Sequence, residues 1–322
     1  MKIAFFGTGE FSKNILNSIL ETGKIDVVLA VSQQDKPVGR KQILEETPVK
    51  KLSLEKNIKV LQPEKLRNNI EFFETLKNLD LDFIVVVAYG KIVPNEVLTA
   101  AKYGAINIHG SILPNYRGAS PIQESIKNGD TKTGLTIMYM SQGMDEGDIL
   151  AIKEINIDIL DKTEDIFKKF ENIGTELLID TLNKIVSGEL KGVKQDSNLA
   201  TYCSKIEKKD GEINFREKTA KQIYDMFRAY SSWPGIYSYY DGKKISFEDC
   251  FYYDIDLDND DELKIGDVIE IEDEHNPKNK EIGVICKKGI LIIKQIKLEG
   301  KKTMDINTFI NGNKNLTSYS FN

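Results

Sequence analysis

The sequence predicts an α/β fold, a mostly parallel sheet covered by helices, with a small β-barrel domain after it. Two textures along the chain predict this. Over the first 200 residues, apolar β-branched runs alternate with stretches of helical periodicity, the pattern of parallel strands buried on both faces. From residue 236 onward, short alternating runs are separated by Asp-Gly, Gly-Asp and Lys-Gly turns, as in small barrels. Between them residues 203–211 read CSKIEKKDG, polar, charged and ending in a turn signal. The expected division is an α/β domain over 1–205, a linker over 206–211 and a second domain over 212–322. A chain of 322 residues is long enough for each to bury its own core.

Candidate strands occupy residues 2–6, 26–31, 83–87, 105–108, 135–140 and 149–155, each dominated by Val, Ile, Leu, Phe or Ala. Behind the first strand, Phe11, Ile15, Leu16, Ile19 and Leu20 recur at the spacing of an amphipathic helix. Ile166, Phe170, Ile173, Leu177, Leu182 and Ile185 do so over a longer span. Asp161 and Glu164 stand at capping-box spacing before that helix and Gly188 stands behind it. Only residues 141–148 join the last two of these strands, too few for a crossover, so the pair is expected to be antiparallel. In the second domain a helix around Ile223, Met226, Phe227 and Tyr230 precedes Trp233-Pro234-Gly235. Strands are expected at 244–247, 268–271, 282–286 and 290–296, and residues 254–262, DIDLDNDDE, form an acidic loop.

Composition excludes several classes. Apolar residues at 40% and charged residues at 29% describe an ordinary soluble globular protein. No apolar run approaches the roughly 18 residues of a membrane span, and the apolar start is too short for a signal-peptide core. Three widely spaced cysteines without a CxxC read as reduced thiols in the cytoplasm. Two histidines and no cysteine cluster argue against a catalytic transition metal. The net charge of −6 gives no global attraction for a polyanion, so any nucleic-acid contact must come from local patches.

Residues 105–122, AINIHGSILPNYRGASPI, hold one of the two histidines. In a strand Asn107 and His109 share a face, roughly 7 Å apart. They offer an amide donor for a developing oxyanion and a base of near-neutral pKa, or they simply satisfy each other and the turn that follows. Polar groups at the end of an apolar strand suit a site at the carboxyl edge of a sheet. The loop Gly143-Met144-Asp145-Glu146-Gly147-Asp148 is a surface turn or, functionally, a mount that presents Asp145 to orient and polarise His109. It is too short for an EF-hand. Residues 85–94, VVVAYGKIVP, read as a buried strand running into a turn, able to lend backbone groups to an apolar pocket. Gly7-Thr8-Gly9 invites a dinucleotide reading. Ser12 stands where the fingerprint needs a third small residue, and no acid ends the second strand. His275, in EDEHNPKNK, reads as a solvated surface histidine.

Together these segments resemble the folate-dependent formyltransferases. The resemblance rests on Asn107-Ile108-His109, Ser111-Ile112-Leu113-Pro114, Tyr116-Arg117-Gly118, Pro121-Ile122, Thr133-Gly134-Leu135-Thr136 and Met144-Asp145-Glu146-Gly147-Asp148. It extends through Val87-Ala88-Tyr89-Gly90, Lys205-Ile206, Arg228-Ala229-Tyr230 and Gly300-Lys301-Lys302-Thr303-Met304, nearly the whole length, as in the branch that formylates charged tRNA. Departures are Gly110 after the histidine, Ser120 where the family has Ala, and a basic loop diluted after Arg40 by Gln42, Ile43, Glu45 and Glu46.

The resemblance implies a Rossmann-like catalytic domain, an OB-like tRNA-binding C-terminal domain, and a cytoplasmic monomer. It implies 10-formyltetrahydrofolate as donor, the α-amino group of charged initiator Met-tRNA as acceptor, and neither a metal nor a covalent intermediate. Asn107 would bond the developing oxyanion. His109 would take the amine proton or share the oxyanion, and Asp145 would orient the imidazole and relay the proton. Folate would lie against Ser111, Ile112, Leu113, Pro114, Val87, Ala88, Tyr89, Gly90, Ile92 and Met144. Lys36, Arg40, Lys41, Lys205, Lys208 and Lys209 would meet tRNA. An amino-sugar nucleotide is the rival acceptor. A hydrolase of the same folate would carry a domain before the first strand, whereas here that strand begins at Lys2.

Overall fold

Phe5 and Phe6 are adjacent in the first strand, point to opposite faces, and are both fully buried. That requires cover on both sides of the sheet. The computed structural model describes residues 1–39, 42–255, 263–272 and 280–321. Arg40, Lys41, His275 and most of the acidic stretch (256–262) lie outside the described residues.

The chain folds into two compact units. The first comprises Met1–Pro121, Lys132–Asn156 and Ile166–Ser204; the second comprises Ile122–Thr131, Ile157–Asp165 and Lys205–Asn322. The strands of the first are β1 (Lys2–Gly7), β2 (Asp26–Val31), β3 (Lys36–Val38), β4 (Ile43–Glu45), β5 (Lys59–Leu61), β6 (Phe83–Val87), β7 (Ala105–His109), β8 (Arg117–Gly118), β9 (Lys132–Tyr139), β10 (Ile149–Asn156) and β11 (Tyr202–Cys203). Seven of them form one sheet in the order β10-β9-β7-β6-β1-β2-β5. β5, β2, β1, β6 and β7 run parallel. β9 is antiparallel to both β7 and β10, as the short connection between β9 and β10 requires. From β1 the chain winds outward through β2 and β5, then returns to β6 on the other side. The carboxyl ends of β1 and β6 therefore flank a topological switch point, the usual place for a ligand in an open α/β sheet.

Phe6, Leu29, Val31, Ile84 and Val86 share one face of the sheet with Phe72 and Leu76 of a helix at Ile70–Asn78. Phe6 meets Tyr89 edge-on with centroids 5.4 Å apart. Such a pair contributes about 0.5–1.5 kcal/mol beyond its buried area. The helices α1 (Glu10–Thr22) and α2 (Thr163–Val186) pack together through Phe11 against Phe167, 5.3 Å between centroids. The long helix ends at Gly188 in the left-handed region, as expected. Its start differs from expectation. The backbone N–H of Lys162 donates to Asp165 at 3.1 Å, while Asp161 accepts from Asp158 at 2.7 Å. Spacing alone could not tell which of several acids reaches back.

In the second unit, β12 (Ile236–Tyr240), β13 (Lys243–Tyr253), β14 (Val268–Glu272), β15 (Lys280–Ile285), β16 (Ile290–Leu298) and β17 (Met304–Asp305) pair antiparallel in the order β12-β13-β16-β15-β14, with β17 on β16. Phe215, Phe247 and Phe321 cluster in its core. The helix at Ala220–Ala229 starts in a full capping box, Thr219 with Gln222, worth about 1 kcal/mol. The buried Arg228 pairs with Asp225 and donates to the carbonyls of Asp158 and Asp161, and the Thr163 hydroxyl donates to the Ala229 carbonyl at 2.7 Å. These bonds hold residues 157–165 within this unit. No helix among the described residues is long and apolar enough to cross a membrane.

Candidate active site

β7 carries Asn107 and His109 to the carboxyl edge of the sheet, with Asn107 in register with Val86 on one side and Met138 on the other. His109 is buried, and its Nε2 lies 3.0 Å from the Tyr116 carbonyl. A carbonyl only accepts, so Nε2 carries a proton and the neutral ring keeps an unprotonated Nδ1. That nitrogen faces the Asp145 carboxylate at 3.6 Å. Burial pushes the imidazole below the usual histidine pKa, and the Asp145 charge and the Tyr116 carbonyl oppose that shift. The Asn107 amide has no hydrogen-bond partner among the described residues.

Asp145 sits in the left-handed region at φ 51°, an unusual place for a non-glycine residue. Its Oδ2 accepts the Gly118 N–H at 2.8 Å. Both glycines around it are needed for close approach. A Cβ on Gly147 would meet the Tyr139 carbonyl oxygen at 1.8 Å, and one on Gly118 would meet that of Cys203 at 2.0 Å. The short pair β8–β11 brings Cys203 there.

A cleft of about 480 Å³ opens beside these groups, lined by Gly90, Ile92, Ala119, Met138, Met140, Met144 and Asp145 among others. Ile92 and Met144 stand exposed at its rim. The structure thus brings Gly90, Ile92 and Met144 together with Asp145. It does not put every expected residue on the wall. Val87 and Tyr89 are buried in the core, and Ala88 turns the chain at φ 43°. The Tyr89 carbonyl accepts from Thr8 and Gln33 at 2.9 and 2.7 Å. Ser111 and Leu113 are also buried, whereas Ile112 and Pro114 are half-buried. The Ser111 carbonyl and the Leu113 N–H both bond the Thr136 hydroxyl, at 2.6 and 3.2 Å. A larger hollow of about 720 Å³, lined by Glu21, Glu171, Glu176 and Asp180, holds none of the candidate residues.

The basic candidates are spread over both units. Lys36 is exposed on β3, and Lys205, Lys208 and Lys209 are exposed in the second unit, Lys209 paired with Glu207 at 2.8 Å. Four participants gave no sequence signal of their own role. They are the Tyr116 carbonyl, the Gly118 N–H, Thr136, and Gln195, whose side-chain amide donates to the carbonyls of Asp145 and Gly147. The first two are backbone groups, Thr136 lies within a strand motif, and Gln195 lies in a stretch without periodicity.

Residues 1–182 match the formyl transferase family, and residues 205–314 match the formyl transferase C-terminal domain. The chain belongs to the formyl transferase family. It is 43% identical to the methionyl-tRNA formyltransferase of Caldicellulosiruptor saccharolyticus, covering 98% of this chain and 97% of that one. With the enzyme of the same name from Clostridium novyi, identity is 40% over 97% of each. Among solved structures, the N-formyltransferase of Helicobacter canadensis, in complex with folinic acid and dTDP-3-aminofucose, superposes with a TM-score of 0.63 at 19% identity, covering 91% of this chain and 98% of that one. At that identity the likeness shows the shared fold of this formyl transferase.

Proposed function

We propose that the protein transfers the formyl group of 10-formyltetrahydrofolate to the α-amino group of charged initiator methionyl-tRNA. One observation carries the reading: Asn107, His109 and Asp145 gather at the carboxyl edge of the sheet, in a chain that aligns nearly end to end with methionyl-tRNA formyltransferases. The amine attacks the formyl carbon and the carbonyl oxygen gains negative charge. The unpaired Asn107 amide donates to it, a role usually worth about 10²–10³ in rate. His109 takes the amine proton at Nδ1, and the resulting imidazolium lies beside the Asp145 carboxylate. Collapse breaks the bond to the folate nitrogen, which leaves as an amine on taking the proton that His109 holds, relayed through Asp145. Folate occupies the cleft at Gly90, Ile92 and Met144, backed by Ala88, Val87, Tyr89 and the turn from Ser111 through Ile112 and Leu113 to Pro114. Lys36, Arg40, Lys41, Lys205, Lys208 and Lys209 meet the tRNA backbone, and the protein works as a monomer in the cytoplasm. End-to-end similarity to tRNA enzymes favours this acceptor over an amino-sugar nucleotide. The test offers labelled 10-formyltetrahydrofolate with charged initiator tRNA or with an amino-sugar nucleotide. Label on the tRNA alone is expected; label on the sugar alone overturns the reading.

A further inference from the structure

Gln195 lies on a segment that ends in β11 and bonds both Arg117 and the loop that carries Asp145. Its Oε1 accepts from both Nε and Nη2 of Arg117, at 3.1 and 2.8 Å. Its Nε2 donates to the carbonyls of Asp145 and Gly147, at 2.9 and 2.7 Å. Arg117 is 2% exposed, and its remaining Nη1 reaches the Tyr202 hydroxyl at 3.4 Å. The residue after Arg117 is Gly118, whose N–H holds the Asp145 carboxylate. Asp145 is thus fixed twice, at its carboxylate from β8 and at its backbone from Gln195.

We infer that Gln195, anchored by the buried Arg117, is a positioning residue for formyl transfer. It holds the left-handed Asp145 backbone so that the carboxylate stays beside His109. The inference rests on the proposal that Asp145 acts in the reaction. A left-handed non-glycine residue costs on the order of 1–3 kcal/mol and persists only where its surroundings hold it. The two carbonyls that Gln195 bonds belong to that residue and to Gly147 within the same loop. The 3.6 Å from Nδ1 to the carboxylate exceeds a hydrogen bond, so no direct bond to His109 fixes the loop. A loop free to relax would carry the charge away from the imidazolium as it forms, which lowers kcat and leaves folate affinity nearly unchanged.

Gln195→Glu separates the two halves of the contact. It keeps an oxygen for Arg117 and strengthens that bond by adding charge, while removing the donor that both loop carbonyls need. Formyl transfer to charged tRNA is measured in wild type, Q195E, D145A and the double variant, with thermal unfolding of each. We expect Q195E to lower kcat about 10–100-fold with KM for the folate donor within twofold. In the D145A background the same change should cost less than twofold, because groups acting through one another are not additive. Equal losses in both backgrounds, or kcat within twofold of wild type, overturn the inference. If Q195E does not fold, Q195N, which draws the amide back by one methylene, carries the same cycle. Wild type inactive on tRNA, or D145A as active as wild type, refutes the underlying reading instead.

Discussion

His109 is held by a backbone carbonyl at one nitrogen and faces a carboxylate at the other. Its pKa lies below the ordinary value because burial outweighs the Asp145 charge and the Tyr116 carbonyl. A base of depressed pKa stays neutral to lower pH, so the acid limb of kcat/KM is expected below about 6.5. Asp145→Asn removes one of the opposing contributions and should move that limb further down; a pH–rate series on both proteins reads the shift. Stability follows the same sign. The folded state resists protonation, so the contribution of His109 is full above the unfolded pKa and is lost as pH falls through the folded one. His109→Ala and Asp145→Ala should each lower kcat by about 10²–10⁴, with little change in folate affinity measured by titration. Asn107 and His109 were legible from strand alternation, and Asp145 from its flanking glycines. The tautomer was not, because it depends on a main-chain carbonyl that no side-chain pattern marks.

At the scale of elements, the six long strands of the first sheet and its two long helices were readable because each buries a continuous or periodic apolar face. β5, three residues long, and the four-residue helix at Asn95–Leu98 carry too few residues for a period to show. The two-residue pair β8–β11 escaped for the same reason, yet it closes the site. Its weak point is Gly118, at φ 130° with the Cys203 carbonyl where a side chain would go. Gly118→Ala should cost at least about 1–3 kcal/mol from backbone strain, seen as a lower Tm. It should also lower kcat by displacing the N–H that holds Asp145. Gly188→Ala, at the exposed end of α2, meets no neighbour and should leave kcat unchanged in the same assay.

At the scale of the whole molecule, the change of texture near residue 205 was visible in the sequence, but the membership of residues 122–131 and 157–165 in the second unit was not. Those segments carry no marker of their own, since their partners lie far along the chain. A truncated chain of residues 1–204 would leave 157–165 without Arg228 and Ala229, and Thr163 without its acceptor. Limited proteolysis should cut that truncation within 157–165, while the full chain stays intact there. The arrangement also has a consequence in time. Thr163 bonds a residue 66 positions later. At roughly 5–20 residues per second, a ribosome needs several seconds to supply it. During synthesis the start of α2 therefore waits, and a chain stalled soon after residue 204 should be nicked at 157–165, whereas one released at full length is not.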